Sequence, residues 1–174
     1  MKEIQFVYSF MDSKFWNWLL QIQRLIMFVS TFFMLLMLGA VVIARYVLHV
    51  DIYGYDEILL IDSFWMYFIG ASYAMCKEEH IKADILASML SKKTVAVTKI
   101  TAGVLQIIIN VIIAILAYNM VARAIKTWAV TTLWNIPYFI PQISILLSFV
   151  IITIYLVIYT IRDYNNFVLL KKEG

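Results

Sequence analysis

Residues Ile100–Ala122, ITAGVLQIIINVIIAILAYNMVA, run for 23 positions without one Asp, Glu, Lys, Arg or His. At 1.5 Å per helical residue the stretch is about 35 Å long, enough to cross a hydrocarbon core roughly 30 Å thick. Lys99 and Arg123 bracket it. Cutting the rest of the chain at its charges yields more segments of this kind. Leu25–Ala44 lies between Arg24 and Arg45 with no charge inside. Thr127–Ile161 is an uncharged run of 35, too long for one perpendicular span, and Pro137 and Pro141 divide it. Proline cannot donate within a helix and restrains the residue before it, so the helix is expected from Phe139, with Pro141 in its first turn. Ile58–Cys76 is the fourth apolar stretch and carries Asp62 near its start.

These cuts predict an all-α integral membrane protein with four transmembrane helices, at about 25–46, 57–76, 98–122 and 139–161. Only helices and closed barrels satisfy the backbone in lipid, and continuous apolar runs argue against the alternation of barrel strands. Composition agrees. Of 174 residues, 64% are apolar and 14% charged, against about 45–50% and 25% in soluble domains. With mean hydropathy at +0.88, too few polar side chains exist to clothe a water-soluble globule, and a disordered chain or a nucleic-acid binder is excluded with it. A lone cysteine, Cys76, forbids an internal disulfide or a cysteine metal cage.

Ahead of the first span, Met11, Phe15, Trp18, Leu19 and Ile22 recur at helical spacing, opposite Asp12, Asn17, Gln21 and Arg24. This pattern predicts an amphipathic helix over about 10–23 lying in the interface, anchored by Trp16 and Trp18. The first span is too long for a signal-peptide core and lacks a small-x-small cleavage site, so it is expected to be retained. Eleven of the fourteen basic residues fall in the N-terminal segment, the connection after the second span and the tail. Only Arg45, Arg123 and Lys126 lie on the opposite face. Both termini are therefore expected in the cytoplasm.

Chemistry-bearing constellations are sparse. Arg45, Glu57 and Asp62 fall near the outer edge of the first two spans, and Arg45 or a basic residue of another subunit is the expected partner of Asp62. Asp62 reads either as an ion or proton site or as a salt-bridged packing residue. His49 and His80 bound spans on opposite faces, too far apart to share a haem iron. His80 and Asp84 are spaced i, i+4 and read as polar contacts fixing the second connection rather than as a metal site, which needs further ligands. Gly70 with Ala71 and Ala74, and Ala102 with Gly103, offer small surfaces for close helix contact. The segment Thr127–Ile136, with Trp128, Val130, Leu133 and Trp134, is expected to lie on the membrane surface or dock on a neighbour. No nucleophile–base set, phosphate-cradling loop or pair of catalytic carboxylates is present. An autonomous transporter normally needs membrane-embedded charge or broken helices around its substrate. Span interiors with at best one carboxylate point instead to a chain that does not carry substrate by itself.

The run Phe64–Ala74 (FWMYFIGASYA), followed by Cys76–Asp84 (CKEEHIKAD), resembles the "W…G-A…A…H-I-x-x-D" signature of the small membrane subunit of TRAP transporters, the DctQ-like family. Ala44-Arg45-Tyr46, Asp56-Glu57 and Asn135-Ile136-Pro137…Pro141 extend the similarity over about residues 40–145. The family positions are Arg45, Glu57, Trp65, Gly70, His80, Asp84, Pro137 and Pro141, with assembly as their implied job. Cys76-Lys77-Glu78-Glu79 departs from the more basic, glycine-containing turn common in the family.

The resemblance implies a non-enzymatic protein of the bacterial inner membrane. Its implied partners are a large DctM-like membrane subunit, which holds the substrate and sodium sites and moves as an elevator, and a periplasmic binding protein delivering an organic anion such as sialic acid or a C4-dicarboxylate. The small subunit braces the large one and takes part in docking the binding protein. No cofactor is expected in this chain, and lipids are expected along the subunit seam. The competing reading is a stand-alone four-helix carrier or channel.

Overall fold

The computed structural model describes residues 14–76 and 92–172. Four α-helices fill them: α1 (Lys14–Tyr46), α2 (Tyr55–Cys76), α3 (Lys92–Thr127) and α4 (Phe139–Lys172). All four are long and apolar enough to cross a membrane. Among the described residues there are no strands, only an isolated antiparallel bridge between Val130 and Pro137.

Three helices outrun the expected spans. α1 has 33 residues, α3 has 36 and α4 has 34, or roughly 50 Å each at 1.5 Å per residue. A charge ends an apolar run without ending a helix. Arg162, Asp163 and Asn165 simply continue α4 beyond Ile161. Likewise Lys14–Gln23 forms the beginning of α1 and is not a separate helix, because neither proline nor glycine interrupts the chain before Gly39. Trp16, expected as a headgroup anchor, is 4% exposed and packs on Tyr155 with ring centroids 4.7 Å apart. Trp18 does face outward. Residues 10–13 of the expected interfacial helix lie outside the described residues.

The helices form an open row in the order α1, α2, α4, α3. α1 and α2 run antiparallel, with Met27 beside Gly70 and Thr31 beside Met66. α2 and α4 run parallel, through Phe68 against Phe149 and the Tyr159 hydroxyl donating to the Cys76 carbonyl at 2.6 Å. α4 and α3 are antiparallel and come close at Gly103, where a methyl group would collide with the Thr160 side chain.

In lipid, burial of apolar surface drives little association, and close fit of small residues takes its place. The α4 stripe shows this: Pro141, Ser144, Ser148, Ile152, Tyr155 and Tyr159 are buried at helical spacing. Ser144 satisfies its hydroxyl on the Pro141 carbonyl of its own helix at 2.7 Å, and Ser72 of α2 does the same with Ile69 at 2.8 Å. On α1 the buried positions Trp16, Gln23, Ser30 and Ala44 keep a seven-residue register, with Val41 buried three residues before Ala44, the seam of a helix gripped along one narrow stripe. At the Trp16 end α1 also reaches α4, where the Tyr155 hydroxyl donates to Gln23 Oε1 at 3.4 Å. Most of the remaining surface of α1 and α3 is exposed apolar side chain.

Candidate functional site

With four alternating helices, the connections 47–54 and 128–138 emerge at the same end of the row, and there they build a joint platform. α3 stops through paired end bonds, Ala129 N–H to the Ala124 carbonyl at 3.3 Å and Trp128 N–H to the Ile125 carbonyl at 3.3 Å. This is a Schellman motif, and it puts Trp128, at φ 49°, where glycine is usual. The chain then folds into a hairpin. Thr131 N–H donates to the Ile136 carbonyl and Tyr138 N–H to the Ala129 carbonyl, both at 2.9 Å. Pro137 sits between these bonds, so its missing N–H removes nothing from the ladder. At the tip, Asn135 takes φ 52°, a left-handed conformation that asparagine tolerates better than most residues. The buried Thr131 hydroxyl accepts from Ile136 N–H at 3.0 Å.

Glu57, in the first turn of α2, holds this tip. Its Oε1 accepts from Leu133 N–H at 2.8 Å and its Oε2 from Trp134 N–H at 2.9 Å. Beside it, Gly54 at φ 78° lies so close to the Trp134 indole that any Cβ would overlap it. The apolar segment expected on the membrane surface or against a neighbour folds into a hairpin clipped to the start of α2.

Asp62 lies about two turns into α2 and lines a groove of about 470 Å³ between α1 and α2. Trp65 and Ser30 line the same groove, and Ser30 offers the carboxylate a hydrogen bond. Asp62 Oδ2 is closed off from the surroundings and accepts no hydrogen bond. Arg45 is not its partner. Arg45 Nε donates to Asp51 Oδ1 at 3.2 Å in an exposed pair. The α1 residue facing Asp62 is Ser30, and Arg45 lies 15 residues, about 22 Å, further along that helix.

The expected residues therefore separate into places. Glu57 and Pro137 belong to the hairpin platform, and Pro141 leads from it into the first turn of α4. Asp62 and Trp65 belong to the groove. A methyl group at Gly70 would meet Met27 at an ordinary 3.8 Å, whereas one at Gly103 would collide with Thr160. His80 and Asp84 lie outside the described residues. Sequence reasoning missed Gly54, Thr131 and the hairpin amides. Asn135-Ile136-Pro137 was the available turn signal, since asparagine and proline favour turns.

Among the described residues no three His, Cys, Asp or Glu side chains gather to hold a metal ion. A second depression, of about 780 Å³, lies between α3 and α4, with Arg123 and Lys126 on its wall. The Arg123 Nε–H is turned back onto the Asn119 carbonyl at 3.3 Å.

The model of the family described as tripartite ATP-independent periplasmic transporters, DctQ component, matches residues 34–166. No curated protein matches the chain. The match takes in the last 13 residues of α1, all of α2 and α3, the hairpin and α4 through Asn166. The chain belongs to the DctQ family, the small membrane component of TRAP transporters.

Proposed function

We propose that this chain is the small permease subunit of a sodium-coupled TRAP transporter for an organic anion, such as sialic acid or a C4-dicarboxylate. It works as a scaffold and not as a carrier or an enzyme. The observation that supports this most is the combination of nearly charge-free spans with an open helical row. Apart from Asp62, the segments 25–44, 58–76, 100–122 and 127–161 contain no ionisable acid or base of the Asp, Glu, Lys, Arg or His kinds. A sodium- or proton-coupled carrier needs such groups or broken helices at mid-membrane. A row of helices, unlike a closed bundle, offers broad lateral faces to a larger partner.

In this reading the large DctM-like subunit binds sodium and substrate and moves against the row, which stays still. The chain resides in the bacterial inner membrane with both termini in the cytoplasm, in keeping with its lysine and arginine distribution. The hairpin platform then faces the periplasm and forms part of the surface on which the binding protein docks. Lipids fill the parts of the seam that the partner leaves open. Purification of the tagged chain in mild detergent from cells expressing all three components tests this reading. Co-purification of the large subunit is expected, and so is loss of anion uptake on deletion of the chain. Undiminished uptake after deletion contradicts the reading.

A further inference from the structure

The depression between α3 and α4 joins two kinds of surface. Most of its lining is apolar, with Ile113, Leu116 and Met120 following one another along α3 and Ile145 opposite them on α4. At one end it turns cationic, where Arg123 and Lys126 line it. Ile113 lies ten residues, about 15 Å, below Arg123 along the helix. The volume of about 780 Å³ is that of a site for a small molecule.

Both cations are exposed, and at a spacing of three they are neighbours on the helix surface. Among the described residues neither has an acidic partner. Asp51 pairs with Arg45, Asp163 pairs with Arg162, and Glu57 accepts from the hairpin amides. Asp56 and Asp62 belong to α2, which α4 separates from α3. The bond from Arg123 Nε–H to the Asn119 carbonyl uses one guanidinium donor and leaves the Nη groups for an acceptor from outside. Depth matters as well. Arg123 is the first charge after the charge-free stretch 100–122, and Trp128, 63% exposed, follows five residues later. That is the level of the membrane interface, where lipid headgroups and aromatic belts lie.

The possible occupants differ in what they bring. A bare acyl chain leaves two cations without a counter-ion, and a soluble phosphate leaves the apolar lining uncovered. A phospholipid of net negative charge answers both surfaces at once, because its phosphate is anchored at headgroup level above its own acyl chains. Arginine suits this role, since its planar fork matches the oxygens of a phosphate.

We propose that the groove between α3 and α4 binds an anionic phospholipid, its phosphate held by Arg123 and Lys126 and one acyl chain lying along Ile113, Leu116, Met120 and Ile145. The site is made of this chain's own residues and does not depend on the partner subunits. The lipid packs against both helices at the end of the pair remote from the contact of Gly103 with Thr160.

The test titrates the purified full chain in mild detergent with phosphatidylglycerol or with phosphatidylcholine of the same acyl chains, and reads bound lipid by native mass spectrometry. Phosphatidylglycerol is expected to bind roughly tenfold or more tightly. Arg123→Gln with Lys126→Gln is expected to erase that preference, whereas Lys99→Gln, at the other end of the charge-free stretch, is expected to keep it. Glycerol 3-phosphate, which has the phosphate without acyl chains, is expected not to displace the lipid. A photo-crosslinking amino acid at Met120, in cells expressing all three components, is expected to give a lipid adduct. Equal binding of the two lipids by the unsubstituted chain overturns the proposal and requires no variant. So does a preference that survives the double substitution, displacement by glycerol 3-phosphate, or capture of a protein helix in place of lipid at Met120.

Discussion

Glu57 accepts the main-chain N–H of Trp134 at 2.9 Å, joining the first turn of α2 to a hairpin tip 77 residues away. With the companion bond to Leu133, one carboxylate ties together the two connections at this end of the row. Glu57→Ala is expected to release the amides of Leu133 and Trp134 to fast hydrogen exchange while the interiors of α2 and α4 keep their protection. Glu57→Gln keeps one acceptor oxygen and is expected to retain part of the protection. Unchanged exchange at both amides in Glu57→Ala contradicts the clamp.

Gly54 serves the same platform through its backbone. At φ 78° a side chain is strained whatever the space, by about 1–2 kcal/mol for the left-handed conformation, and here it also meets the Trp134 indole. Gly54→Ala is expected to lower stability by at least that amount in detergent unfolding. Trp134→Ala in the same chain is expected to return the steric part and leave the backbone part. Equal losses in single and double variants rule out the contact.

Gly103 governs how near α3 comes to α4. Gly103→Ala pushes the Thr160 side chain and is expected to destabilise the pair, whereas Thr160→Ala makes room for the added methyl. A double-mutant cycle on unfolding in micelles is expected to give a coupling of about 1 kcal/mol, within the range for residues in contact. Additivity of the two changes indicates that the helices do not meet there.

Tyr155 is fully buried between α1 and α4, against Trp16 and Gln23. Solvent transfer contributes little in lipid, so truncation is felt mainly through the cavity it leaves. About 100 Å³ of lost side chain at roughly 24 cal/mol per Å³ makes Tyr155→Ala cost about 2 kcal/mol. Tyr155→Phe removes only a hydrogen bond at 3.4 Å, near the long limit for such contacts, and is expected to cost about 0.5 kcal/mol. Thermal unfolding of both variants distinguishes packing from hydrogen bonding at this site.

The four helices were legible because lipid imposes one strong rule, that charge is costly in the core. Lys99 and Arg123 therefore framed a span in plain view. Helix ends were less legible: Arg162 and Asp163 end the uncharged run yet remain helical, since polarity alone does not stop a helix. The row order α1, α2, α4, α3 was hidden, because residues such as Leu36 and Ile112 are apolar on lipid-facing and partner-facing sides alike. Ser144 and Ser148, small and spaced by four, were the weak trace of the α4 seam. The hairpin clamp was hidden for another reason. Glu57 grips main-chain amides, and any residues at 133 and 134 would supply them. Of the two partners expected for Asp62, Arg45 was suggested by nearness in sequence, whereas the helix carries it about 22 Å along from the Ser30 level and it pairs with Asp51.

The most direct measurement of the central claim is uptake by proteoliposomes under an inward sodium gradient, with the organic anion and its binding protein present. Vesicles holding this chain alone are expected to accumulate no anion. Vesicles holding the large subunit gain uptake when this chain is added. Accumulation by vesicles containing only this chain contradicts the account.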